Sequence, residues 1–295
     1  MGRVVNKGWE ITATYTKKTG DFTFDAGANF SKYKSEVKSL GKYTQMKHTN
    51  SVNKLDPFYS FVGYPWTSYN LIKTGGIFKS QEEIDSHTWY NPETGRDEKI
   101  QPQAKTGDLR FVDINNDGKI NDDDRILMGA YDNPDFFYGF NLGASWKDLS
   151  INMQFQGVAG VKIFNGVKAM TYAGDKGTNM SRDVLKSYNY NTESGIPNLA
   201  IVSDENGNYT TVSDFFLEKG DYFRMKSLNI SYSLPKHLSS LIGLKGTGVR
   251  FYFNADNLFT VTGYKGFDPE VGNNGLDNGR YPVARTFSFG LNVTL

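Results

Sequence analysis

The chain has 295 residues, with 38% hydrophobic residues, 15% aromatic residues and 31 glycines, an aromatic-rich and aliphatic-poor balance typical of β structure. A formal net charge of +1 excludes strong steering toward nucleic acid, and the lack of cysteine excludes disulfides, thiolate catalysis and cysteine metal sites. No apolar run reaches the roughly 18 residues of a transmembrane helix, and the opening MGRVVNKGWE lacks the apolar core of a secretory signal.

The first element is a hairpin. Trp9, Ile11, Ala13 and Tyr15 alternate with Glu10, Thr12, Thr14 and Thr16; a turn containing Gly20 follows; then Phe22, Phe24, Ala26, Ala28 and Phe30 alternate with Thr23, Asp25, Gly27, Asn29 and Ser31. Residues 33–57 are rich in lysine, serine and asparagine and are expected to form a solvated loop. Residues 58–79 fit a short strand pair or an ordered loop. Residues 81–107 are polar, with a turn at NPETG, residues 91–95.

Residues 113–124, DINNDGKINDDD, have the spacing of a twelve-residue calcium loop. Asp113, Asn115, Asp117 and Asp124 would offer side-chain oxygens, Lys119 its carbonyl and Asn121 a bridging water, with Gly118 at the sharp turn. Position 12 is Asp124 rather than the longer Glu, which weakens bidentate coordination. The same residue types also build an Asx-rich turn that holds no metal.

A second hairpin follows Asn133-Pro134. Phe136, Tyr138, Phe140, Leu142, Ala144 and Trp146 share one face; after Lys147-Asp148 come Leu149, Ile151, Met153 and Phe155, opposed by Ser150, Asn152, Gln154 and Gln156. Such a sheet either packs its apolar face on a core or turns it to lipid in an outer-membrane barrel. Residues 157–220 are expected to be irregular, with a short helix at 181–188. Three strands close the chain, within 221–234, 249–256 and 282–295, the last with Phe287, Phe289, Leu291, Val293 and Leu295 on one face.

Short turns join Tyr15 to Phe22 and Trp146 to Leu149, whereas long loops precede the strands at Phe136, Asp221 and Pro282. Sorting of short connections to one side and long ones to the other is a barrel trait, which a secreted β-sandwich has less reason to display. The expected architecture is all-β: one antiparallel, strongly curved sheet of about seven to nine strands whose apolar faces all lie on the convex side. The strands at Trp9 and Phe289 are expected to be its two edges.

The run GDLRFVDINNDGKINDDDRILMGAYDNPDFFYGFNLGASWKDLSINMQFQGV, residues 107–158, resembles the C-terminal barrel region of SusC/RagA-type TonB-dependent transporters of Bacteroidetes. So do GRVVNKGWEI (2–11), DYFRMKSLNISYSLP (221–235), NADNLFT (254–260) and the ending RYPVARTFSFGLNVTL. The ending resembles an outer-membrane assembly signal, with Leu295 where an aromatic residue is usual. The resemblance spans essentially the whole chain and implies that residues 1–295 form the C-terminal part of a barrel of about 22 strands with long extracellular loops. It implies outer-membrane localisation, a glycan or peptide substrate and a SusD-like surface lipoprotein as partner. Contact with TonB would pass only through an N-terminal part, which with the plug and signal peptide this sequence lacks.

Enzymatic motifs are missing. His48, His87 and His237 lie in unrelated polar contexts and read as surface residues, and no nucleophile elbow, phosphate loop or dinucleotide fingerprint occurs. Trp66, Tyr69, Trp89 and Tyr90 are candidates to stack on sugars, or to pack their own loops. The competing function is a secreted calcium-dependent β-sheet carbohydrate-binding module.

Overall fold

The computed structural model describes residues 2–130, 134–174, 177, 179–200, 203–241 and 248–294. Asn133 and Leu295 lie outside the described residues, as does much of the 235–248 connection. Seven strands form one antiparallel sheet: β1 (Gly2–Thr19), β2 (Phe22–Leu40), β3 (Phe136–Trp146), β4 (Leu149–Ala159), β5 (Tyr222–Ser233), β6 (Gly248–Thr262) and β7 (Thr286–Thr294). They are hydrogen-bonded in chain order, so β1 and β7 are the edges, as the sequence predicts.

Register carries the period-two pattern across the whole sheet. Tyr15, Ala26, Leu142, Met153, Leu228, Ala255 and Phe287 are successive partners along one row, and Thr14, Gly27, Asn141, Gln154, Ser227, Asp256 and Thr286 form the adjacent one. One face is therefore apolar from edge to edge and the other polar. Among the described residues no second sheet covers the apolar face: Ile11 is 62% exposed and Phe289 82%. An apolar face left open over seven strands marks a surface that another phase or partner must cover.

Connections sort as expected. The β1–β2 and β3–β4 turns lie together, tied by the Lys147 N–H donating to the Asp21 carbonyl (3.1 Å), and Ser233 N–H donates to Asp148 O (2.8 Å). The β5–β6 connection, which contains the helix Lys236–Leu241, joins them at this end. Residues 41–135, 160–221 and 263–285 connect strands at the opposite end.

These long connections hold the hydrophobic core. Leu55, Phe58, Tyr69, Leu71, Phe164, Tyr209, Phe216 and Leu276 form one buried cluster drawn from all three connections. The sequence reading missed it, because short elements at irregular angles leave no period to read. Residues 58–79 resolve into strands Phe58–Phe61, Ser68–Ile72 and Thr74–Ile77, which join small sheets among the connections rather than the main one. The 91–95 turn closes a hairpin between Thr88–Asn91 and Arg96–Lys99.

Two expectations are corrected. Residues 33–57 are not all solvated loop: β2 runs on to Leu40 opposite Gly2, and Val37 is fully buried, its N–H donating to Tyr64 O and its carbonyl accepting from Gly63 N–H, both at 2.8 Å. A ladder partner holds a strand whose side chains show no alternation. Residues 157–220 are more ordered than expected, with strand Lys162–Asn165, helix Gly166–Thr171 and a 3-10 helix, Arg182–Lys186, within the predicted helical stretch.

Candidate functional site

The polar face of the main sheet runs across all seven strands. Its side chains find each other: Thr16 Oγ1 donates to Asp25 (2.7 Å), Asn229 Nδ2 to Asn254, Arg250 to Ser231 Oγ (2.6 Å), and Ser150 and Ser231 share a bond of 2.7 Å. Asn152, Gln154 and Gln156 belong to this face, as the sequence predicts, and so do Arg250, Asn254 and Asp256. A wall of hydroxyls and amides that also carries Asp25, Arg250 and Asp256 is costly against a dry core and at ease beside water.

Its electrostatic focus is Arg224, only 2% exposed. Alternation from Leu228 and Ile230 would put Arg224 on the apolar face. A β-bulge at Lys226 shifts the register between Met225 and Ser227, which turns Arg224 to the polar side and keeps Phe223 and Met225 with the apolar residues. Arg224 Nε donates to Thr260 Oγ1 (2.8 Å), Nη2 to Asp268 Oδ1 (2.6 Å), and Nη1 to Glu270. Gln156 Nε2 adds a bond to Glu270 Oε1 (2.8 Å). The 263–285 connection is thereby fastened to the polar face of β4, β5 and β6. Burial pushes the Asp268 carboxyl up, but the Glu270 and Val283 amides and Arg224 outweigh it and hold its pKa below the usual value. Sequence reading missed this cluster, since Asp268 and Glu270 lie in a loop without periodicity.

In residues 113–124 the side chains hold the backbone. Asp113 accepts from the N–H groups of Asp117 (3.3 Å) and Gly118 (2.8 Å), and Asp117 Oδ1 from Lys119 N–H (2.9 Å). Asn115 accepts from Asp117 N–H (3.0 Å), and Asn121 from Asp123 N–H (2.7 Å). Fully buried Asp124 accepts from Ile114 (2.8 Å) and Asn121 (2.9 Å). Gly118, at φ 79°, lies under Trp89, whose ring a Cβ there would approach to 2.5 Å. Among the described residues no three His, Asp or Glu side chains converge as a metal site. The donor chemistry still fits a hard cation at Asp113 and Asp117, where each oxygen that accepts an N–H accepts only one, whereas Asp124 Oδ1 accepts from both Ile114 and Asn115 N–H.

The aromatic candidates separate. Tyr69 is fully buried with its single hydroxyl proton shared between Lys162 O (2.9 Å) and Gly275 O (3.1 Å), so it is a core residue and no sugar platform. Trp89 covers Gly118 and donates to Asn116 O (2.6 Å). Trp66 packs edge-on to His48, and Tyr90 is exposed. His87 is not the surface residue expected: its ring lies against Phe78 and its Nε2 is buried without a partner among the described residues.

Lys168 packs inside the 160–221 connection. Its Nζ donates to Phe215 O (2.6 Å), stands 3.7 Å from Glu218 and lies 3.7 Å from the centre of the Phe215 ring. Burial lowers its pKa to about 8, against the pull of Glu218. Burial also raises the pKa of the neighbouring Tyr172 and of Tyr209. Between pH 8 and 10 the unfolded chain holds a proton that folded Lys168 has lost, so the stability of this core should rise with pH. Above pH 10 unfolded tyrosines ionise while these two do not, and stability should fall. Amide exchange of the Gly166–Thr171 helix across pH 7–11, corrected for intrinsic rates, should show that maximum; a monotonic trend would contradict it.

No family model matches the chain. It is 28% identical to TonB-dependent receptor P3 of Formosa agariphila, in an alignment covering 99% of this chain and 29% of that protein. It is 26% identical to receptor P26 of the same organism over 100% of this chain and 29% of the relative. To TonB-dependent receptor SusC of Bacteroides thetaiotaomicron it is 28% identical over 62% of this chain. Among solved structures, the RagAB peptide transporter superimposes with a TM-score of 0.72 at 26% identity, covering 98% of this chain and 29% of that one. Over its whole length the chain is similar to TonB-dependent receptors of the SusC/RagA type. The relatives are named as receptors and transporters, and the chain spans 29% of the length of the two Formosa proteins. The RagAB importer in its open-open state matches with a TM-score of 0.68.

Proposed function

We propose that this chain is the C-terminal part of an outer-membrane TonB-dependent importer, with its seven-stranded sheet forming one arc of the barrel wall. The observation that carries this is the uncovered apolar face backed by a polar, hydrogen-bonded one. A strand of 11 residues such as β3, rising about 3.4 Å per residue and tilted by about 40°, covers about 25 Å of height, the thickness of a barrel's apolar band. Aromatic residues mark both ends of that band, Phe22, Trp146, Tyr232 and Phe251 near the short turns, and Trp9, Phe30, Phe136 and Phe223 near the long connections. The apolar face meets lipid, the polar face lines the lumen and the long connections face outward.

The imported solute is a peptide or a glycan, delivered by a SusD-like surface lipoprotein. The similarity to the RagAB peptide transporter favours a peptide. Coupling to TonB belongs to other parts of the receptor. The test is the complete receptor in outer membranes: detergent-dependent extraction and heat-modifiable electrophoretic mobility are expected, and a detergent-free soluble monomer would instead favour the secreted binding module.

Residues 113–124 are, on this proposal, a low-affinity calcium loop on the outer side. Asp113, Asn115, Asp117 and Asp124 would supply side-chain oxygens, Lys119 its carbonyl and Asn121 a bridging water. The support is the spacing, together with the curl imposed by the bonds from Asp117 and Gly118 N–H to Asp113. Calorimetry of the folded receptor should give a dissociation constant on the order of 0.1–1 mM, abolished by Asp113→Ala with Asp117→Ala. No heat at several millimolar calcium would rule the ion out.

A further inference from the structure

Beside the Arg224 cluster lies a cavity of about 300 Å³, bounded by Lys226 of β5 and by Asp268, Glu270, Val271, Arg280 and Tyr281 of the 263–285 connection. Asp277 and Val283 complete its lining. Its formal charges balance if Arg224 is counted, three basic residues against three acidic ones, but the two signs are not equally available. Asp268 accepts through Oδ1 from Arg224 and Glu270 N–H and through Oδ2 from Val283 N–H. Glu270 accepts through Oε1 from Gln156 and through Oε2 from Arg224. Asp277 accepts through Oδ1 from Gly279 N–H (3.0 Å) and through Oδ2 from the Tyr264 hydroxyl (2.5 Å). All six carboxylate oxygens have protein donors.

The cations do not. Lys226 Nζ is 3.7 Å from Glu270 Oε2, beyond hydrogen-bond reach, and its side chain is 41% exposed. Arg280 is exposed and makes no hydrogen bond or ion pair among the described residues. The cavity therefore presents unused ammonium and guanidinium donors beside acids that are already engaged, with Val271 and Tyr281 as apolar wall.

We propose that this cavity binds a carboxylate carried by the imported solute, with Arg280 and Lys226 as the recognising groups. A planar carboxylate matches the guanidinium fork, and a neutral hydroxyl would leave the Arg280 charge without a counter-ion and Lys226 with only its long pair to Glu270. The volume suits one terminal unit, so the ligand chemistry is the C-terminus of a peptide or a uronic acid residue. The proposal rests on the barrel reading, because it needs the polar face to be the solute's path.

The test is calorimetry on the complete receptor in detergent, with acetyl-triglycine against its carboxamide and galacturonate against galactose. At least one acid should bind ten-fold or more tightly than its neutral counterpart, and the pair that shows the preference identifies the source of the carboxylate. Lys226→Met with Arg280→Met should erase the preference; neither residue hydrogen-bonds into the Arg224 cluster, and the exposed 3.7 Å pair of Lys226 with Glu270 is worth little, so the variant should stay heat-modifiable. Equal affinity within both pairs, or a preference that survives in the double variant, would overturn the site while the heat-modifiable barrel stands. A receptor without heat-modifiable mobility would overturn the barrel reading and the site with it.

Discussion

Replacing Phe155 by Arg should destabilise the membrane-inserted receptor by about 2–4 kcal/mol. Phe155 lies on the apolar face in a row with Ala28, Phe140, Met225 and Phe259, near the middle of β4, and its ring stacks on Phe223 at 5.5 Å. In lipid, an arginine there must leave water near the midplane, where the penalty is greatest. The adjacent Gln154 faces the other way, among Asn141, Ser227 and Asp256, so Gln154→Arg should cost far less. Folding equilibria of the two variants in lipid vesicles give the comparison. Equal penalties would mean that the two faces do not meet different media, and a larger penalty for Gln154→Arg would mean that the polar face is the buried one.

What the sequence made legible follows from period two. Wherever apolar and polar residues alternate, as in residues 136–155, both the strand and the side of the sheet each residue takes could be read, because a one-residue slip would exchange the apolar and polar faces for the whole strand. Arg224 marks where that inference stops. Its parity from Leu228 is wrong until the bulge at Lys226 is known, and a bulge inserts one residue without any compositional sign. The core of the long connections was illegible for a related reason. Tyr69 looks like any loop aromatic until Lys162 O and Gly275 O, far away in sequence, are brought to its hydroxyl. The loop at 113–124 was legible as a turn, since local spacing alone determines which N–H groups Asp113 can reach. Its ion was not, because neither spacing nor a self-bonded loop distinguishes a filled site from a turn.

The largest effect concerns the two edges. β1, with 18 residues, and β7, with 9, each lie at the margin of the main sheet, and each presents a row of backbone N–H and C=O groups to no partner strand in it. In hydrocarbon each such group costs several kcal/mol, so an open seven-stranded arc would be disfavoured by tens of kcal/mol and could not persist in a bilayer. Seven is also odd, and with all neighbours antiparallel an odd sheet cannot close on itself without one parallel seam. Expressed alone, residues 1–295 should therefore aggregate or remain unfolded in detergent and vesicles. Co-expression with the remaining seven-tenths or so of a complete receptor, as judged from the 29% of each Formosa relative that the chain spans, should restore a heat-modifiable barrel. Cysteine pairs introduced between the outer edge of β1 and the complementing part should then cross-link, and pairs between β1 and β7 should not. A monodisperse barrel formed by these residues alone, with β1–β7 cross-links, would instead establish the sheet as self-closing and remove the basis for assigning it to a larger wall.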